Sequence, residues 1–119
     1  MESLELGIEI VKILDSKKAE DIKLVDIKDQ TIIADYFVIA DGSSSTQVRA
    51  LADEVEFILK QKGEVPSHVE GFESKSWILL DYGAVIVHIF YKETREFYGL
   101  ERLWTDGKQI DISEYIKEN

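Results

Sequence analysis

The stretch IADGSSSTQVRALADEV, residues 39–55, runs from an apolar strand through Asp41-Gly42 and three serines into a helical pattern. Strand, glycine-serine turn and helix is the layout of many phosphate-binding and nucleotidyl-transferring sites. Val48, Leu51, Ala52, Val55, Ile58 and Leu59 keep the 3.6-residue period, so the spacing predicts a helix over 45–62, closed by Gly63. Ser44 and Gln47 stand in a capping-box relation: the hydroxyl can accept from the backbone N–H three residues on, and the amide can reach back. That accounts for the serines without a ligand. Nucleotidyl transfer would further require a carboxylate pair holding metal ions, usually Asp-x-Asp on the strand after such a helix. Here that strand reads PSHVEG, with Glu70 alone, no phosphate-loop lysine follows Gly42, and no G-x-G-x-x-G is present. The serines read as the start of a helix.

Outward from this unit, Leu4, Ile8, Val11 and Leu14 form one stripe and predict a helix over 4–16 with Ser3 as its N-cap. DIKLVDI (21–27) alternates and predicts a strand. DYFVIAD (35–41), apolar on both faces, predicts a central one. VPSHVEG (65–71) carries the only proline, Pro66, near its start, which suits an edge strand or the first residue of a strand. SWILLD (76–81) and AVIVHIFY (84–91) follow, hinged at Tyr82-Gly83, and a last helix starts near Thr94 with Phe97, Leu100 and Trp104 on one side. The order α-β-β-α-β-β-β-α predicts an α/β (α+β) fold, a mixed five-stranded sheet with helices packed on it. One domain spans 1–105, and residues 106–119 alternate weakly and are expected as a loosely attached tail.

The chain has 119 residues, enough for one core and too few for two. It lacks cysteine, which excludes disulfides and thiolate metal sites and suits a reducing cytoplasm. The acidic start MESLELGIEIVKIL has no basic region ahead of its apolar residues, so no signal peptide is expected, and no apolar run approaches the ~18 residues of a membrane span. Against 14 basic residues stand 24 acidic ones, a formal net charge of −10. Such a surface repels phosphate backbones and disfavours direct nucleic-acid binding, while it suits a basic protein partner. His68 and Glu70, two apart on one strand, could join His88 at a metal, but two histidines among scattered acids read more simply as surface polarity.

The hairpin at 76–91 separates two unlike faces. A two-residue loop at Tyr82-Gly83, or a four-residue loop from Asp81 to Ala84, sets Asp81 opposite Ala84, Leu79 opposite Ile86 and Trp77 opposite His88. Ile78, Leu80, Val85, Val87 and Ile89 then share an aliphatic face that belongs against helices. Trp77, Leu79, Asp81, Ile86, His88 and Phe90 share a mixed one. The mixed face suits either packing beneath a further helix or the tail, or a partner, since aromatics flanked by polar groups make effective hot spots.

From Trp77 to Trp104 the sequence resembles the ribosomal silencing factor S, or Iojap-like, family. The matching residues are Trp77, Asp81, Gly83, Val87-His88, Arg95, Tyr98, Leu100-Glu101 and Leu103-Trp104, with Asp35, the Gly42-x-Ser44 turn and Val69-Glu70-Gly71 upstream. The resemblance covers about residues 4 to 105. Ala84 departs from it, where relatives often carry an acid, and the residues past Thr105 run beyond the usual family end. The resemblance implies a fold similar to nucleotidyltransferases without their catalytic carboxylates, and a factor that is no enzyme and needs no cofactor. It implies docking on large-subunit ribosomal protein fourteen, where the small subunit would otherwise join, so that translation falls when nutrients are short. Partner-binding residues are then expected among Trp77, Leu79, Asp81, His88, Phe90, Arg95 and Tyr98. A cytoplasmic location is expected, and self-association into a homodimer is left open. The alternatives are a nucleotidyltransferase-like enzyme or a stand-alone oligomeric scaffold.

Overall fold

Tyr36–Gly42 is buried at all seven positions, as a strand apolar on both faces must be, and the rest of the chain is arranged around it. The computed structural model describes residues 1–71, 76–94 and 107–117. In chain order the elements are α1 (Ser3–Ser16), β1 (Glu20–Asp26), β2 (Tyr36–Gly42), α2 (Ser45–Gln61), β3 (His68–Glu70), β4 (Trp77–Asp81), β5 (Val85–Tyr91), a single 3₁₀ turn at Lys92–Thr94, and β6 (Lys108–Ile110). The strands lie in the order β3-β4-β5-β2-β1-β6. Among the described residues β2 and β5 pair in parallel, and every other neighbouring pair is antiparallel.

The class is the α+β expected, with six strands rather than five. The additional strand comes from the stretch expected to hang loose. Ile110 pairs with Leu24 at the open edge of β1, Ile112 is buried among the helix-side core residues, and the Lys117 N–H donates to the Asp15 carboxylate at 3.0 Å. Three residues with two polar side chains carry too little periodicity to announce a strand, and only the free edge of β1 makes one of them. The last helix expected from Thr94, with Phe97, Leu100 and Trp104, lies outside the described residues.

Both helices cover one face of the sheet. Ile10, Val11 and Leu14 of α1 and Val48, Leu51, Val55 and Leu59 of α2 pack with Val38 and Ala40 of β2, Ile78 and Leu80 of β4, and Val85, Val87 and Ile89 of β5. The aliphatic face of the hairpin is therefore where its alternation placed it. A second buried cluster, Val25, Ile27, Ala34, Phe37, Ile39, Ile86 and Phe90, lies on the opposite face and contains no residue of α1 or α2.

The ends of α2 follow their sequence signals. Ser44 is the N-cap, its hydroxyl accepting the Gln47 N–H at 3.1 Å. At the other end Gly63, at φ +86, lets the Glu64 N–H reach the Leu59 carbonyl and its own N–H reach that of Lys60, the double closure of a Schellman motif. For α1 the expected cap is displaced: Glu2 occupies that position without a side-chain cap, and Ser3 is already helical. Ion pairs Lys17–Glu54 and Lys62–Glu9 bridge the two helices.

Two substitutions probe this arrangement. Val87, fully buried beneath α2, should lose about 2 kcal/mol of stability on replacement by Ala through the cavity left behind. Ser44→Ala should lose ~1 kcal/mol through the missing cap. Denaturant unfolding of both variants against the parent checks the ranking.

Candidate partner-binding face

The hairpin closes one residue later than its sequence suggests. The Tyr82 N–H donates to the Val85 carbonyl at 2.9 Å, so Gly83 and Ala84 form the two-residue loop. Gly83 has φ +85 and Ala84 does not share the positive sign, as a type II′ turn requires with its glycine first. The Asp81 carboxylate accepts the Gly83 N–H at 2.7 Å and braces that turn. The register is accordingly Asp81 opposite Ile86, Leu79 opposite His88 and Trp77 opposite Phe90, in place of the pairing expected above. The slip is by an even count, and in a sheet of period two it leaves every side chain on its expected face.

On the mixed face, the rows continue across the sheet. Trp77, Phe90 and Asp41 are in line, as are Glu70, Leu79, His88 and Ile39, and His68, Asp81, Ile86 and Phe37. The middle of the face, on β5 and β2, is interior: His88 is 5% exposed, Phe90 fully buried and Ile86 nearly so. The face opens towards the β3 edge: Trp77, Leu79 and Asp81 of β4 are half-buried, and His68 and Glu70 of β3 are exposed. Of the seven residues expected at a partner surface, these three reach solvent, His88 and Phe90 lie behind them, and Arg95 and Tyr98 fall outside the described residues.

Trp77 is held by its neighbours. Its ring stacks on Phe90 with centroids 5.4 Å apart and 18° between planes. Its indole N–H donates to His88 Nδ1 at 3.2 Å, across a diagonal that aromatic side chains can span. The Phe37 and His88 rings meet at right angles with centroids 4.7 Å apart, a contact sequence reasoning missed, since it requires the parallel pairing of β2 with β5. Indole is a donor only, so His88 Nδ1 is the acceptor and the neutral ring carries its proton on Nε2. That nitrogen is buried without a hydrogen-bond partner. Burial pushes the His88 pKa down from 6.5 to about 4.

The metal candidate disperses. His68 and Glu70 pair with each other at 2.8 Å on an exposed edge strand, while His88 sits two strands away in the interior behind Leu79. Among the described residues no three His, Cys, Asp or Glu side chains gather as ligands. At the α2 N-terminus the Gln47 carbonyl oxygen accepts from both the N–H and the hydroxyl of Ser43, at 2.5 and 2.8 Å, and its amide nitrogen donates to the Lys17 and Lys18 carbonyls at 3.4 Å. The expected reach-back thus lands on Ser43 instead of Ser44 and continues into the turn after α1. No helix among the described residues is long and apolar enough to cross a membrane.

The model of the family described as "Ribosomal silencing factor during starvation" matches residues 1–119. The chain belongs to this family. The match runs past Thr105, beyond the expected family end. The ribosomal silencing factor of Halalkalibacterium halodurans is 37% identical over 115 residues, covering 97% of this chain and 96% of that protein. A more distant mouse relative, named for mitochondrial assembly of the ribosomal large subunit, is 31% identical over 81% of this chain and 43% of its own length. A crystal structure of a Chromobacterium violaceum protein superposes with a TM-score of 0.85 at 35% identity, covering 91% of this chain and 90% of that one.

A buried neutral histidine makes stability depend on pH. The unfolded chain takes up a proton near pH 6.5, and the folded protein resists until about 4. His88 therefore contributes a loss of about 3 kcal/mol as pH falls through that window, with no further change below it. Unfolding free energies of parent and His88→Asn, measured from pH 7 to pH 4, should diverge by this amount as carboxylate effects common to both cancel.

Proposed function

We propose that this protein binds the large ribosomal subunit through large-subunit ribosomal protein fourteen, keeps the small subunit from joining, and so lowers translation under nutrient limitation. The observation that carries the reading is the half-buried strip Trp77-Leu79-Asp81, which lies beside the closed β5 and β2 part of the same face. An indole already stacked and hydrogen-bonded gives up little freedom on binding, the property that makes such a residue an anchor. Asp81 closes the strip at one end, Glu70 lies beside Leu79 on the next strand, and neither β3 nor β4 carries a lysine or arginine. With the net charge of −10, this favours a basic protein surface and disfavours the surrounding RNA. Arg95 and Tyr98 complete the contact in this reading, and the site of action is the cytoplasm.

The mechanism is steric. A bound domain at the joining surface makes association of the subunits incompatible with its own presence, so occupancy alone sets the degree of repression. It needs no bond making, no metal and no cofactor, and the protein acts as a regulator and not as an enzyme.

Co-sedimentation with separated subunits tests the reading. The protein should travel with large subunits, not with small ones, and should slow their joining in light scattering. Trp77→Ala should weaken large-subunit binding by ~2 kcal/mol or more while the protein remains folded. Equal binding to both subunits, or a Trp77→Ala loss that merely tracks unfolding, would place the partner surface elsewhere.

A further inference from the structure

We infer that His88 is a positioning residue: its Nδ1 fixes the orientation in which the Trp77 indole is presented, while His88 itself stays out of the contact. The inference rests on the proposed partner role of Trp77 and adds the means by which that side chain is held.

Three observations lead to it. First, His88 is only 5% exposed and lies in the row behind Leu79, so a partner reaching the open side of the face meets Leu79 and Trp77 before it. Second, the ring makes one hydrogen bond with a described residue, and that bond is to the Trp77 indole at 3.2 Å. Its other nitrogen is buried without a partner, a cost that a leucine or phenylalanine at this position would avoid. What the polar ring supplies that an apolar side chain of similar size would not is the acceptor atom that holds the indole. Third, the ring that accepts is itself fixed. Phe37 meets it at right angles at 4.7 Å, and Phe90, two residues along β5, stacks beneath the indole at 5.4 Å.

The indole is thereby constrained in two independent ways. Stacking on Phe90 sets the plane of the ring but would permit a flip that exchanges its N–H edge for its C–H edge. The bond to Nδ1 removes that freedom, because only one edge carries a donor. A half-buried tryptophan with a single orientation presents one shape to a partner and loses less freedom on binding.

Asparagine and phenylalanine at position 88 separate the acceptor from the bulk. The asparagine side-chain oxygen can replace Nδ1, whereas phenylalanine fills the space with no acceptor. In His88→Phe the Trp77 indole N–H should shift in the proton spectrum and lose its protection from exchange, and large-subunit affinity should fall about tenfold. His88→Asn should restore both. The Trp77 signal is distinguished from that of Trp104 with Trp77→Phe. Unchanged indole protection and binding in His88→Phe would overturn the inference, as would an equal loss in both variants. Should either variant fail to fold, nitrogen chemical shifts of His88 in the native protein decide: protonation at Nε2 supports the inference, and protonation at Nδ1 refutes it. The indole and tautomer readouts require no ribosome, so they test the positioning even if the parent does not bind large subunits. Should the parent bind and Trp77→Ala abolish it while His88→Phe does not, the inference fails and the proposed function stands.

Discussion

The parallel pairing of β2 with β5 is the constraint on which the rest of the structure depends. Two parallel neighbours cannot be joined by a tight turn, so the chain must leave β2, cross a face of the sheet and return. Here the crossing contains α2, the edge strand β3 and the outward strand β4 before β5 comes back alongside β2. The pairing has seven residue partners, from Tyr36 with Val85 to Gly42 with Tyr91, and it joins an antiparallel half made of β6, β1 and β2 to another made of β3, β4 and β5. Remove it and neither half retains a two-sided core.

That pairing also decides what the hairpin residues meet. His88 stands beside Ile39 with the Phe37 ring crossing it at right angles only because β5 enters in this register, and Phe90 falls in line with buried Asp41 for the same reason. The central strands are closed on both faces, while β4, one strand further out, is closed on one and half-open on the other. A half-buried anchor needs a solid backing and an open front, and the second strand from a sheet edge supplies both. Gly71 contributes at that edge. It has φ +91 where β3 ends, and a Cβ there would lie 2.0 Å from the Trp77 carbonyl oxygen, so only glycine lets the two strands approach this closely.

Period-two and period-3.6 patterns made the class, both helices, the central strand and the two hairpin faces legible in the sequence. The faces survived although the register did not, because alternation fixes parity and the loop fixes only how far one strand slides along the other. The loop was misplaced by treating Gly83 as its second residue. Placing Gly83 first and Ala84 second demands no positive φ of alanine, and the choice depends on the Asp81 carboxylate bracing the Gly83 N–H, an interaction that no propensity encodes. The contribution of β6 was illegible for a different reason. Its three residues gain a conformation only from an edge assembled some eighty positions earlier. For the candidate site, alternation indicated which residues share a face, but it could not show that His88 and Phe90 lie in the closed part of that face and Trp77 in the open part. Burial of that kind depends on what stands on both neighbouring strands.

The glycine-serine turn shows how a motif can keep its form while its groups are taken up internally. In such a turn, the free N–H groups at the start of a helix are what an anion would seek. Here the Gln47 N–H is taken by the Ser44 hydroxyl, the Ser43 N–H by the Gln47 side chain, and the amide of that same side chain is spent on the carbonyls of Lys17 and Lys18. Lys18 has φ +64 in the tight turn between α1 and β1, where the helix end leaves carbonyls facing outward. One glutamine therefore acts as acceptor at the beginning of α2 and donor at the end of α1, joining the positive pole of one helix to the negative pole of the other. The serines begin a helix, and the residue after them in the capping box ties that helix to the layer that backs the whole sheet.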